Sequence, residues 1–279
     1  MILVHTIEDL RKSLRNTKSV ALVPTMGNLH AGHLDLVEQA RARAEVVVAS
    51  IFVNRLQFAP HEDFDSYPRT LEQDRAKLES VGCDLIFAPS ERDLYPVPQT
   101  FKVHPGADVG DILEGEFRPG FFTGVCTVVS KLFNCVQPQL AFFGKKDYQQ
   151  LSIIKSMVSQ MALPIEIVQV QTRREVDGLA MSSRNGYLSD AQRAEAVHLY
   201  LALCQMRESF KSGVAKEHVE REALHYLTSR GWRPDYMCIR LARDLSSKPP
   251  ENYSAGIDFV ALAAARVGET RLIDNVEFD

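Results

Sequence analysis

Two histidines, His30 and His33, flank Ala31 and Gly32 at the point where an apolar run gives way to a helical pattern. Imidazoles beside a glycine at a helix start suit a polyphosphate. Exposed backbone N–H groups and the positive end of the helix dipole favour an anion there, and Gly32 lets a phosphate approach the backbone. A zinc pair and ordinary helix capping are the competing readings. Gly144, Lys145, Lys146 and Asp147 repeat the arrangement, an apolar run opening through a glycine into a helix start. Lysines in a first turn oppose the dipole, and a bound polyphosphate would compensate them; solvated surface is the alternative. Met181, Ser182, Ser183 and Arg184 offer two hydroxyls and a guanidinium able to hold phosphate oxygens in a bidentate contact. Asn54 and Gln57 are amides close to another apolar run and can both donate and accept; taken alone they read as loop structure.

These residues need elements to position them. The patterning predicts a short leading helix over Ile7–Arg15, then strands over Ser19–Val23, Glu45–Val53, Asp84–Ala88, Leu140–Phe143 and Ile165–Val170. Helices are expected between them over Gly32–Ala44, Pro68–Val81 with Pro68 at its first position, Val125–Val136, and from the Gly144 turn to Met161. Alternating strands and helices make a doubly wound, Rossmann-like α/β fold with a parallel sheet. Right-handed crossovers set the first and fourth of these strands side by side, so that His30, His33 and Lys146 should meet at one crevice at the strands' carboxyl ends. Residues 1–175 are the expected nucleotide-binding domain. Residues 176–279 form a smaller C-terminal α+β domain closing over the nucleotide, with helices over Asp190–Lys211 and Lys216–Arg230 and strands over Asp235–Leu241, Asp258–Ala265 and Arg271–Ile273. Arg118, in a glycine-rich passage, is a candidate anion contact or a salt-bridge partner of Glu114 or Glu116.

With 279 residues, 45% of them hydrophobic and 24% charged, the chain has the material for a large core. A net charge of −4, with both signs interspersed, gives no footprint for nucleic acid or an anionic membrane. No apolar run approaches the roughly 20 residues of a membrane span, and the N-terminus lacks a secretory pattern, so a cytoplasmic protein is expected. Cys83, Cys126, Cys135, Cys204 and Cys238 form no CxxC pair and read as free thiols. Neither GxGxxG nor GxxxxGK[ST] is present, which disfavours a dinucleotide fingerprint or a P-loop.

Taken together, PTMGNLHAGH, FVNRLQF, DFDSYPRTLEQD, FFGKKDYQQ and DGLAMSSRNGYL closely resemble the pantoate–β-alanine ligase family over essentially the whole chain. The first segment also resembles the HIGH-type element of the wider nucleotidylyl transferase group, and MSSR stands where that group has its KMSKS-type loop. The resemblance implies a homodimer in which ATP adenylates pantoate with release of pyrophosphate, after which the amine of β-alanine displaces AMP to form pantothenate. It places Met26, Gly27, His30, Gly32 and His33 at ATP, with His33 a catalytic imidazole. Gly144, Lys146 and Asp147 join them, Lys146 neutralising charge in the transition state and Asp147 meeting the ribose. Met181, Ser182, Ser183 and Arg184 close the nucleotide end. Gln57 and Gln150, with Asn54 and Thr25, would hold pantoate. Mg2+ would ride chiefly on ATP oxygens, with Asp74 the candidate outer ligand and no metal bound by the protein itself. Three departures lie near the substrate: Arg55 replaces the usual proline, Phe121 a common histidine, and Arg173 an aliphatic residue. The rival reading is a nucleotidyltransferase that accepts a phosphate ester instead of a carboxylate.

Overall fold

Short runs rich in branched apolar residues become the strands of a six-stranded parallel sheet. The structure is a computed structural model describing residues 1–60, 62–247 and 258–279. The chain divides into two compact units, Met1–Lys145 with Ile153–Gln171, and Lys146–Ser152 with Thr172–Asp279. In chain order the first part comprises β1 (Ile2–Val4), α1 (Ile7–Leu14), β2 (Val20–Thr25), α2 (Ala31–Arg41), β3 (Val46–Ile51), α3 (Leu71–Ser80) and β4 (Leu85–Phe87). Three single-turn helices follow, α4 (Glu91–Leu94), α5 (Ala107–Gly110) and α6 (Glu114–Phe117), then α7 (Phe121–Val136), β5 (Leu140–Gly144), α8 (Tyr148–Gln160) and β6 (Glu166–Val170).

The sheet order is β1-β4-β3-β2-β5-β6, every pair parallel. The predicted neighbours β2 and β5 do pair, so the order reverses there and their carboxyl ends form the switch point. Period two sorts the strand residues between faces. Ala21, Val23, Val47, Ala49, Ile86, Leu140 and Phe142 pack with Leu36, Val37 and Ala40 of α2 and Leu78 of α3. The alternate residues Leu22, Val48, Leu85, Phe87 and Ala141 are buried as well, as strands covered on both faces require.

The differences from expectation have local causes. Strand β1, three residues long, is too short to show a period, yet it pairs with β4 at the sheet edge. Helix α3 begins at Leu71 after Thr70, so Pro68 lies outside it and is not its first residue. Helix α7 starts at Phe121, four residues before the predicted Val125, because Gly124 is not a breaker. A Cβ at Gly124 would overlap the Leu56 carbonyl, so this glycine serves the close approach of α7 to residues 55–57.

In the second unit α9 (Asp190–Lys211) and α10 (Lys216–Ser229) pack against an antiparallel sheet β7-β8-β9, comprising Arg233–Leu241, Phe259–Val267 and Thr270–Phe278. Its core joins Leu199, Leu203 and Met206 of α9 and Leu227 of α10 to Ile239, Ala261 and Ala263. The last strand runs well beyond the expected Arg271–Ile273, since buried Asp274 and Asn275 break its apolar pattern. Among the described residues no helix is long and apolar enough to cross a membrane.

Candidate active site

Strand β2 ends at Thr25, whose hydroxyl donates to the Ser50 carbonyl (2.7 Å) and accepts from the Gly27 N–H (3.2 Å), starting the turn. Gly27 has φ +83°, and a Cβ there would lie 3.1 Å from both Asp74 Oδ2 and Ile51 Cγ2, so the position needs glycine. The turn delivers His30 to the N-cap of α2. There His30 Nδ1 accepts from the Gly32 N–H (3.2 Å), and His33 Nδ1 accepts from the His30 N–H (3.3 Å). The two rings lie 4.1 Å apart between centroids. The capping reading is thus realised, and it fixes the tautomers. A backbone N–H can only donate, so each Nδ1 is a bare acceptor and each ring carries its proton on Nε2. A helix N-terminus with two imidazole Nε2–H donors is equipped for an oxyanion.

Asn54 and Gln57 are linked by a hydrogen bond. Asn54 is 1% exposed. Its Oδ1 accepts from the Tyr95 hydroxyl (3.0 Å), and its Nδ2 donates to Gln57 Oε1 and to the Gly124 carbonyl, both at 3.1 Å. Asn54 therefore orients Gln57. Gln57 turns its NH2 toward Met26 Sδ (3.1 Å), a weak acceptor that a carboxylate could displace. Both Thr25 hydroxyl contacts shape the turn.

Arg118 keeps Glu114, one of its expected partners, and adds a closer one. Its guanidinium grips Glu62 through two contacts (2.6 and 2.9 Å) and the Gln57 carbonyl (3.3 Å), with Glu114 at 4.0 Å. Gln57, Glu62 and Arg118, with Lys102, His104 and Thr123, line a cleft of about 270 Å³. Arg55 lies 3.7 Å from Asp65 and 3.8 Å from Glu91, with its guanidinium 3.8 Å from the centre of the Phe64 ring.

The second unit carries Lys146 and Arg184. Lys146 sits in a 3₁₀ turn, Lys145–Asp147, that runs into α8. Its side chain is 18% exposed, with Asp147 Oδ1 at 3.8 Å, and its carbonyl accepts from Asn275 Nδ2 (2.8 Å). Gln150 follows four residues later on the same helical side, whereas Gln149 is buried. Strand β9 holds this turn, and it is itself held by Arg174, which binds Asp274 at 2.7 and 3.0 Å, donates to the Asn275 carbonyl (3.0 Å) and stacks on Tyr200. Burial pushes the Asp274 carboxyl up, and Arg174 and Lys146 pull it the other way. Ser182 caps a short 3₁₀ segment, Ser183–Tyr187, accepting from the Arg184 N–H at 3.3 Å.

Among the described residues no three His, Cys, Asp or Glu side chains converge. Asp74, the outer ligand suggested by resemblance, is fully buried with both oxygens on the Asn28 and Leu29 N–H groups and the Thr70 hydroxyl. This role was open to sequence reasoning: Asp74 lies four residues before Leu78, on the buried side of an otherwise charged helix. The cysteines are free, and burial pushes Cys83 up to about 11 and Cys126 up to about 12.

Known proteins match this chain over nearly its whole length. A family model described as pantoate-beta-alanine ligase matches residues 2–277. The pantothenate synthetase of Leptothrix cholodnii is 57% identical over 285 residues, spanning 99% of this chain and 100% of that protein. The crystal structure of the pantothenate synthetase from Thermus thermophilus superimposes with a TM-score of 0.91 at 46% identity, with 99% of each chain covered. The pantoate-beta-alanine ligase of Francisella tularensis, complexed with beta-gamma ATP and beta-alanine, gives 0.83 at 33% identity over 99% of this chain and 97% of that one.

Proposed function

The chain belongs to the pantoate–β-alanine ligase family, and on that premise we propose how its own residues carry the reaction. The protein is an ATP-dependent carbon–nitrogen ligase that forms pantothenate. The Francisella relative is complexed with beta-gamma ATP and beta-alanine, and we assign both ligands to this chain. In the first step a pantoate carboxylate oxygen attacks the α-phosphorus of ATP and the α–β bridging bond breaks, releasing pyrophosphate. In the second the amine of β-alanine attacks the acyl carbon, the acyl–oxygen bond to AMP breaks, and the ammonium proton leaves to solvent.

The observation that carries this reading is the histidine pair whose Nδ1 atoms both accept from backbone N–H groups, which assigns each ring's own N–H to Nε2. Those Nε2–H groups donate to phosphate oxygens at the start of α2, where Met26, Gly27 and Gly32 also bind ATP. Lys146 neutralises charge that builds on the phosphates, Gly144 and Asp147 meet the nucleoside end, and Met181, Ser182, Ser183 and Arg184 close over the nucleotide, the hydroxyls and the guanidinium on phosphate oxygens. Mg2+ enters with ATP. Gln57 and Gln150 hold the pantoate carboxylate; an amide orients it without the charge pairing by which a guanidinium would lower its nucleophilicity. The cleft beside Gln57 presents Lys102, a cation for the carboxylate of the amine acceptor. A homodimer belongs to the same reading, and the strongly exposed Val97 and Phe101 are side chains that a second copy would cover.

The test asks which phosphate is attacked. With Mg2+ and pantoate but no β-alanine, the enzyme should exchange labelled pyrophosphate into ATP; adding β-alanine should give AMP and pantothenate in equal amounts. ADP as product would sink the adenylate route. Exchange supported by a phosphate ester but not by pantoate would favour the nucleotidyltransferase reading, whose basic residue beyond the carboxyl end of β3, Arg55, lies among Asp65, Glu91 and Phe64.

Gly124 offers a separate check on Gln57. Since a Cβ there overlaps the Leu56 carbonyl, Gly124→Ala must push residues 55–57 away and carry Gln57 with them. We expect kcat/KM for pantoate to fall roughly 10- to 100-fold, with the KM for ATP little changed. An equal rise in both Michaelis constants would detach Gln57 from pantoate.

A further inference from the structure

Helix α3 grips the loop that delivers His30, and nothing in the reaction scheme accounts for that grip. Asp74 is fully buried. Its Oδ2 accepts from the Asn28 N–H (2.9 Å) and the Thr70 hydroxyl (3.0 Å), and its Oδ1 accepts from the Leu29 N–H (2.8 Å). One turn later Lys77 Nζ donates to the Leu29 carbonyl (2.7 Å), so both polar groups of the Leu29 backbone are held by α3. Asn28 adopts φ +50°, a left-handed backbone that turns two successive N–H groups onto one carboxylate. Gly27 has no Cβ to crowd Asp74 Oδ2. The next residue after Leu29 is the N-cap His30.

We propose that Asp74 is a positioning residue for adenylation, fixing the Gly27–Leu29 loop and through it the Nε2–H donors of His30 and His33. The proposal rests on the assignment of those donors to ATP phosphates. A carboxylate is needed because it only accepts. The three donors around Asp74 converge on two oxygens, and an asparagine must turn an NH2 toward at least one of them. The loop then shifts, and with it the backbone N–H groups that set both imidazoles.

The experiment compares Asp74→Asn and Thr70→Val with the parent enzyme. It records long-range 1H–15N spectra of the imidazoles, pantoate-dependent pyrophosphate exchange, half-saturating Mg2+ and thermal stability. Thr70→Val removes a single donor and keeps the carboxylate, which guards against Asp74→Asn failing to fold. In the parent, His30 and His33 should both show the Nε2–H tautomer. Asp74→Asn should mix the tautomers of those two rings and lower the exchange rate by roughly 30- to 100-fold, with KM for pantoate within about threefold and the Mg2+ requirement unchanged. Thr70→Val should move both readouts the same way by less than about tenfold. Unmoved imidazole signals overturn the proposal: with a raised Mg2+ requirement Asp74 is a metal contact, and with only a lower melting temperature it is packing. Mixed tautomers with unimpaired exchange overturn instead the assignment of His30 and His33 to the phosphates, while the grip on the loop stands.

Discussion

Lys146→Ala should lower turnover roughly 100-fold or more and change ATP affinity less, while Lys145→Ala costs little. The reason is where charge grows. As the α–β bond breaks, negative charge builds on the departing pyrophosphate, so a cation placed there stabilises the transition state more than bound ATP. Lys146 is built for a fixed position: its side chain is mostly buried and its carbonyl is held by Asn275. Steady-state rates with ATP and pantoate varied in turn will check this. Equal losses at both lysines, or a loss confined to the KM for ATP, would remove Lys146 from the chemistry.

The doubly wound sheet and its switch point were legible because they follow from long apolar runs at regular spacing and from crossover handedness. The histidine pair was legible too, as residue type beside glycine at a helix start. What stayed hidden were the residues that act on others through space. Glu62 lies 56 residues before its partner Arg118, and Tyr95 lies 41 residues beyond the amide it holds. No local pattern reports such pairs. Asn54 illustrates the same limit from the other side: residue type suggests a ligand contact, and only its three hydrogen-bond partners show that it orients Gln57. The tautomers of His30 and His33 depend on distances of a few tenths of an ångström, which spacing cannot supply.

Strand β9 joins stability to function in the second unit, and Arg174→Met should show it. Asp274 is 4% exposed and Arg174 is its charged partner. Removing the guanidinium strands a buried carboxylate, at a cost of about 3–5 kcal/mol. At roughly 2–4 °C per kcal/mol, melting at pH 8 should fall by about 10 °C. The pH dependence has a definite sign. Burial already raises the Asp274 pKa, and without Arg174 it rises further above the unfolded value. A raised carboxyl pKa confers stability in full below the unfolded pKa, and that stability is lost as pH climbs through the folded pKa. The deficit should therefore be smaller at pH 5 than at pH 8. Adding Asp274→Asn should recover much of it, since an amide oxygen can still accept from the Asn275 N–H that now reaches Asp274 Oδ1 at 2.7 Å. Turnover well below the melting point tests the link to Lys146. If Arg174 and Asp274 fix the strand from which Asn275 holds the Lys146 carbonyl, the single variant should lose activity even where it is folded, and the double variant should regain it. Equal melting deficits at both pH values would mean that the buried charge is not the cause, and a folded single variant with full activity would separate β9 from the lysine.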